Sequence, residues 1–172
     1  MLDNGAFSDW RAGRDWDERA WLLDLEHAAA DSEGRPEFVV APDAVGSGLT
    51  SLRLSVRWLP RIRASGLQAY LAVQDGMTAA DVRAGCEGFA GLFVGGTLPW
   101  KLHTAHAWTD LAHELGLLCH VGRVGGARRV RWAREIGADS IDSSLPLWSR
   151  ENLRVFLAAL GEGGQRMFGW SG

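Results

Sequence analysis

Polar residues of the kinds that do chemistry recur along this chain just after short apolar runs. Carboxylates can attack a substrate or carry protons, while amide, imidazole and guanidinium groups bind ligands or stabilise charge. Each Asp or Gly alone is explained about equally well by turn formation, but the set together predicts an enzyme site. Its members are Asp3, Phe7, Asp43, Gln74, Gly95, Gly96, His120, Arg123 and Asp142.

The apolar runs that precede these residues are typical of buried parallel strands. They cover residues 37–41, 68–73, 91–94, 117–121 and 139–141. Ligands bind at the carboxyl ends of the strands in parallel α/β proteins. We therefore expect the polar residues that follow the runs to converge on one rim.

Helical patterns separate the predicted strands. The first helix is expected to begin at an Asp15 N-cap, and the third to open at Thr78. The second, from about residue 50, should put Leu52, Val56 and Leu59 on one apolar face and be kinked or shortened by Pro60. Further helices are predicted over residues 104–115, 126–136 and 151–160. The abundant Trp residues are scattered, which favours large packing anchors.

Strand followed by helix, repeated about six times, predicts a parallel sheet with right-handed crossovers. We prefer a (β/α)8 TIM-barrel-like fold, short or N-terminally truncated, because a full barrel needs about 250 residues and this chain has 172. An open doubly wound sheet is the alternative. The chain is expected to begin inside a strand, with residues 1–160 as a single catalytic domain and residues 161–172 as an irregular Gly-rich tail.

Composition limits the partners. The formal net charge is −3, so no global attraction draws the protein to nucleic acid or to an anionic membrane. Cys86 and Cys119 are the only cysteines and lack a CxxC spacing, which argues against a disulfide framework or a thiolate zinc site. No apolar run approaches the roughly 20 residues of a membrane span. We expect a cytoplasmic protein without a membrane partner.

Two further groups of residues are candidate sites. His103 and His106 have helical spacing but no accompanying carboxylate, so we assign them no metal-binding role. Two clusters of arginines are typical of solvated helix faces, with tracking of a phosphate backbone as the alternative. The clusters are Arg53, Arg57 and Arg61, and Arg128, Arg129, Arg131 and Arg134.

Four motifs, in order over residues 2–146, resemble those of the tRNA-guanine transglycosylases. Residues 3–7 (DNGAF) are similar to Asp-Ser-Gly-Gly-Phe/Tyr, and residues 73–76 (VQDG) to Val-Gln-Gly. Residues 91–96 (GLFVGG) resemble the Gly-Leu-Ala-x-Gly-Gly strand, and residues 137–146 (GADSIDSSLP) the Gly-Ile-Asp-x-Phe-Asp-Cys-x-Leu-Pro segment. The likeness looks closest to short phage and actinobacterial relatives linked to 7-deazaguanine modification of DNA.

The resemblance implies a TIM barrel that exchanges guanine for a deazapurine through a covalent glycosyl-enzyme intermediate. It implies that Asp142 is the nucleophile at C1′ and Asp3 the general acid/base. The chemistry suits two carboxylates, as in retaining glycosidases. Substrate binding is then assigned to the remaining residues: Asp43 and Gln74 at the base edge, Gly95 and Gly96 as backbone donors, Phe7 or Trp10 as a stacking ring, and His120 and Arg123.

Departures from the family pattern reduce the range of partners that the resemblance implies. Asn4 and Ala6 replace Ser and Gly, Asp75 is inserted after Gln74, and Thr97 stands where the tRNA enzymes continue with Glu. The family's Cys/His zinc site and C-terminal extension have no counterpart. We therefore expect no metal or cofactor, a free deazapurine base as one substrate, and DNA or a free nucleoside, rather than tRNA, as the other. A homo-oligomer that closes the short barrel is left open.

Two alternatives come from other functional classes. A metal-dependent barrel hydrolase would use His120, Asp43 and Asp142 as ligands. A catalytically degenerate barrel would bind a nucleobase or a partner without turnover.

Overall fold

The computed structural model describes residues 1–161, which form an α/β fold on five parallel strands. The strands lie in the sheet in their chain order, and the sheet curls into a half-barrel. This order excludes a doubly wound sheet, in which strand order reverses at a switch point. The strands are β1 (Val39–Val40), β2 (Ala69–Val73), β3 (Gly91–Val94), β4 (Leu118–Val121) and β5 (Ser140–Ile141).

Seven α-helices occur among the described residues. They are α1 (Ala6–Arg11), α2 (Glu18–Ala30), α3 (Gly48–Ala64), α4 (Ala79–Gly85), α5 (Leu98–Glu114), α6 (Ala127–Glu135) and α7 (Arg150–Gly161), with a 3-10 turn at Leu145–Leu147. None of these helices, within residues 1–161, is long and apolar enough to cross a membrane.

The chain starts beside the sheet, as expected, but only one residue pairs there. Leu2 forms a parallel bridge with Val39: its N–H donates to the Phe38 carbonyl and its carbonyl accepts from the Val40 N–H, both at 2.9 Å. Gly5 then adopts φ 74° and leads into α1, a helix that the sequence did not predict. Leu2 therefore acts as an edge position next to β1.

The two faces of the sheet carry different cores. Outward-facing strand residues such as Leu71 and Leu92 pack under the helices together with Trp21 and Trp58, which confirms that these Trp residues are packing anchors. The opposite, inner face is aromatic: Phe38 and Tyr70 stack with ring centroids 3.9 Å apart. Because side chains alternate along a strand, the polar residues at the strand ends continue this inner face.

Several helix boundaries differ from the prediction. The N-cap of α2 is Asp17, whose carboxylate accepts from Ala20 N–H at 2.9 Å, and not Asp15. Pro60 lies inside α3, which continues to Ala64, since a proline removes one backbone hydrogen bond while the apolar face of the helix still packs on β2. Val56 is 40% exposed and does not face the core.

Helix α5 begins at Leu98, six residues before the predicted start at Thr104. Pro99 accounts for the earlier start, because proline is well suited to the first turn of a helix. The Thr78 N-cap of α4 is confirmed as a capping box with Asp81. Of the predicted tail, residue 161 ends α7, and residues 162–172 lie outside the described part of the chain.

Candidate functional site

A cleft of about 540 Å³ opens where the strands end. Its size suits a small-molecule ligand. Val40 and Phe93 line it from the inner face of the sheet, and Leu145 and Trp148 line it from the segment after β5. The cleft brings together every predicted site residue except His120: Asp3, Phe7, Asp43, Gln74, Gly95, Gly96, Arg123 and Asp142.

Asp142 directly follows β5 and is fixed through one of its carboxylate oxygens. Its Oδ1 accepts from His120 Nε2 at 3.0 Å and from the Arg123 backbone N–H at 2.9 Å. Within residues 1–161, Oδ2 has no hydrogen-bond partner. Burial alone would raise the pKa of Asp142, but these two hydrogen bonds and the nearby positive charge hold it below its ordinary value. Asp142 is therefore an oriented, ionised carboxylate.

His120 lies beneath the cleft rather than in its lining. Its side chain is 3% exposed, and its ring stacks on Phe93 and meets the edge of Phe38, each with centroids 5.1 Å away. Because Nε2 faces an ionised carboxylate, it must donate, and in the neutral ring Nδ1 then accepts from the Ser140 hydroxyl at 2.8 Å. In this structure His120 supports Asp142 through that hydrogen bond.

Asp43 is the centre of a buried polar network. Asn4 Nδ2 donates to Asp43 Oδ1 at 2.7 Å and to the Ala41 carbonyl at 2.8 Å. Gln74 Nε2 donates to Asp43 Oδ2, and Gln74 Oε1 accepts from the Gly46 N–H at 3.3 Å. The expected base-reading pair of Asp43 and Gln74 is therefore present in the cleft, but its two side chains also bind each other.

Burial shifts the ionisation of Asp43. The residue is 7% exposed, and loss of solvent raises the pKa of its carboxyl to about 6. The amide donors of Asn4 and Gln74 oppose this rise, while the negative charge of Asp3 adds to it. Asp43 thus titrates close to neutrality, which is common for functional carboxyls.

Asp3 is the solvent-exposed acid of the cleft. Its charge acts both on Asp43 and on the guanidinium of Arg123, for which it raises the pKa against the lowering effect of burial. An exposed carboxylate beside a buried one can exchange protons with solvent, which is what a proton shuttle requires.

Arg123 adopts an unusual backbone conformation at the mouth of the cleft. Its φ is 55°, a left-handed value that is uncommon for a residue other than glycine. Its Nη2 donates to the Gly96 carbonyl at 2.6 Å, and its guanidinium lies 3.6 Å from the ring centroid of Phe7. Trp10 packs beside Phe7 with centroids 5.8 Å apart. The ring face expected to stack on a base is therefore covered by Arg123.

The two glycines after β3 allow close packing. A Cβ on Gly95 would lie 2.6 Å from Gln74 Nε2, and one on Gly96 would lie 2.5 Å from Asp75 Oδ2. The Gly95 N–H, which is expected to donate to a ligand, donates in this structure to the Val73 carbonyl at 3.1 Å. Gly96 directs its carbonyl to Arg123.

Some residues of the site were not assigned a role from the sequence. Asn4 was noted only as a departure from a motif, yet its side chain joins Ala41, Asp43 and the Ala6 N–H. Lys101, on α5, is buried against the segment that carries Arg123. Its position on the buried stripe of α5, with Ala105 and Trp108, is the sequence signal that could have found it. Trp148 is 75% exposed beside the cleft.

Metal ligation has no support in the described residues. Within residues 1–161 no group of three or more His, Cys, Asp or Glu side chains is arranged to hold a metal ion. Both ring nitrogens of His120 are already bonded to Ser140 and Asp142. The ligand set of a metal-dependent hydrolase is therefore not assembled there.

Comparison with models of known protein families and with curated proteins finds no match to this chain.

Proposed function

We propose that this chain is a pentosyltransferase that replaces guanine in DNA with a 7-deazaguanine base, on a partial TIM-like barrel. The observation that carries the proposal is the meeting of Asp3, Asp43, Gln74 and Asp142 in one cleft. Asp3, Gln74 and Asp142 lie in three of the motifs that carry the resemblance, and Asp43 follows another predicted strand. Their convergence supports a shared site, and the chemistry of each gives it a role.

Asp142 has the geometry of a nucleophile. With Oδ1 held by His120 and Arg123, Oδ2 attacks C1′ while the glycosidic bond breaks and its electron pair leaves with the guanine nitrogen. Asp3 relays a proton to the departing base. In the second half the deazapurine loses its N–H proton to Asp3, its nitrogen attacks C1′, and the bond to Asp142 breaks. Two displacements retain the configuration of the sugar.

Recognition of the base falls to the buried network. Guanine presents N–H donors along its Watson–Crick edge, and the carboxylate of Asp43 retains acceptor capacity beyond its two amide partners. A base that stacks on Phe7 must first displace the Arg123 guanidinium from the ring. A base already unpaired is the easier substrate, because flipping costs a few kcal/mol in a duplex.

The decisive test is exchange and adduct formation with Asp142→Asn. Single-stranded DNA with labelled guanine is incubated with a deazapurine base, and release of label and a covalent protein–DNA adduct are measured. The variant should fold normally and lose both signals. Asp110→Asn, an exposed carboxylate on α5, is the matched control and should retain both. Exchange at the normal rate by Asp142→Asn would remove the nucleophile assignment.

Two observations favour a second function, nucleobase binding without turnover. The Gly95 N–H is already used within the protein, and Arg123 covers Phe7, so the site differs from an open, substrate-ready pocket. Titration of the unaltered protein with guanine and deazapurine bases separates the two. Binding with neither adduct nor exchange supports the second function.

A further inference from the structure

Lys101 is a buried cation at the back of the candidate site. It is the only lysine in the sequence, lies on the first turns of α5 and is 3% exposed. A lysine is almost never fully buried unless it is paired. Its Nζ donates to the backbone carbonyl of Gly122, which lies at the end of β4 and before Arg123.

The opposite side of the same peptide group holds Asp142. The Gly122 carbonyl and the Arg123 N–H belong to one peptide unit, and that N–H donates to Asp142 Oδ1 at 2.9 Å. The peptide is thus bound at its oxygen by an amine and at its nitrogen by a carboxylate. Arg123 also has a φ of 55°, and such a conformation persists only where its surroundings hold it.

We propose that Lys101 is a positioning residue for Asp142, acting through the peptide group that joins Gly122 to Arg123. A positive charge at the carbonyl polarises the peptide, so that its N–H becomes a stronger donor to the carboxylate. The amine also fixes the peptide plane and, with it, the orientation of Oδ1. The inference rests on the proposed function, in which Asp142 is the nucleophile, and adds Lys101 to the groups that orient this carboxylate.

The charge on Lys101 is adjustable near neutral pH. The pKa of its ammonium is lowered to about 7: burial is the largest cause, Arg123 and Arg129 add to it, and the carboxylates of Asp142 and Asp75 oppose it. His120 faces the same carboxylate from the other side. The support of Asp142 is therefore greatest below about pH 7 and declines as Lys101 loses its proton.

The first test measures the pKa of Asp142 by carboxyl carbon NMR. Lys101→Met should raise the pKa of Asp142 by roughly one pH unit, which is the effect of one charge acting across a single peptide group. Arg129→Met removes another nearby positive charge that is not bonded to the peptide, and should raise it less. If both variants raised the pKa of Asp142 equally, Lys101 would act only as one of several nearby positive charges, and the proposal would be overturned.

A second test leaves Lys101 unchanged, so it decides between the outcomes even if Lys101→Met fails to fold. In lysine-labelled protein the single lysine gives one signal, whose titration reports its pKa directly. By reciprocity Asp142→Asn should lower the pKa of Lys101 by the amount that Lys101→Met raises that of Asp142. An unmoved pKa would refute the coupling. Both tests measure ionisation and not turnover, so this inference and the proposed function can fail separately.

Discussion

Substitution of Asp43 by Asn should change how stability depends on pH. The Asp43 carboxyl has a pKa of about 6 in the fold, against an ordinary value of 3.8. A raised pKa in the folded state means that the protonated carboxyl favours folding. This contribution is complete below about pH 3.8 and is lost as pH rises through about 6. Above that pH the buried carboxylate is a net cost.

The size of the effect follows from the difference between the two pKa values. About two pH units correspond to about 3 kcal/mol in the free energy of unfolding. An Asn at this position still accepts from Asn4 through Oδ1. Its amide would face the amide of Gln74, so Gln74 must flip, which gives up only the 3.3 Å bond from the Gly46 N–H. The variant should therefore keep the network and lose the titration.

Urea unfolding of both proteins between pH 4 and 8 measures this difference. Other carboxylates also titrate over the range, but they do so in both proteins and cancel. The free energy of unfolding of Asp43→Asn, minus that of the parent, should rise by about 2.5 kcal/mol from pH 4 to pH 7, because part of the full effect is already lost at pH 4. A difference that stays constant over this range would show that Asp43 is not a high-pKa carboxyl and would refute the reasoning.

Two further predictions concern the loop after β3. Gly95→Ala should lower the free energy of unfolding by about 1–3 kcal/mol, because the new Cβ would lie 2.6 Å from Gln74 Nε2. Gly161→Ala, which has open space around it, is the control. Equal urea midpoints for the two variants would contradict the packing argument. Asp75 accepts from the Thr97 N–H and hydroxyl, both at 2.7 Å, where α5 begins. Asp75→Ala should cost about 1 kcal/mol, and an unchanged midpoint would show that this carboxylate does not cap α5.

The sequence predicted the positions of the strand ends well, for a physical reason. A buried parallel strand must be apolar, and the first polar residues after it leave the sheet at the same edge. That logic placed Asp43, Gln74 and Asp142 in one cleft. β3 has the predicted bounds, whereas β1 and β5 are shorter than predicted, with two residues each.

The finer arrangement of the site depends on contacts between distant segments. The hydrogen bond from Asn4 to Asp43 spans 39 positions, and no local pattern indicates it. The φ of Arg123 cannot be read from a residue type that usually avoids positive values. Lys101 belongs to the site only because α5 packs behind β4, which brings its amine to Gly122. Local sequence preferences predict none of these three features.

The curl of the sheet is what makes a single site from the two proposed catalytic acids. Asp3 follows Leu2, which pairs outside β1 at one edge, and Asp142 follows β5 at the other. Six neighbouring positions in a flat sheet would span about 24 Å, five gaps of about 4.8 Å. Yet Asp3 and Asp142 line one cleft and both act on the charge of Arg123. Curvature therefore brings together two carboxylates that a flat sheet would hold far apart.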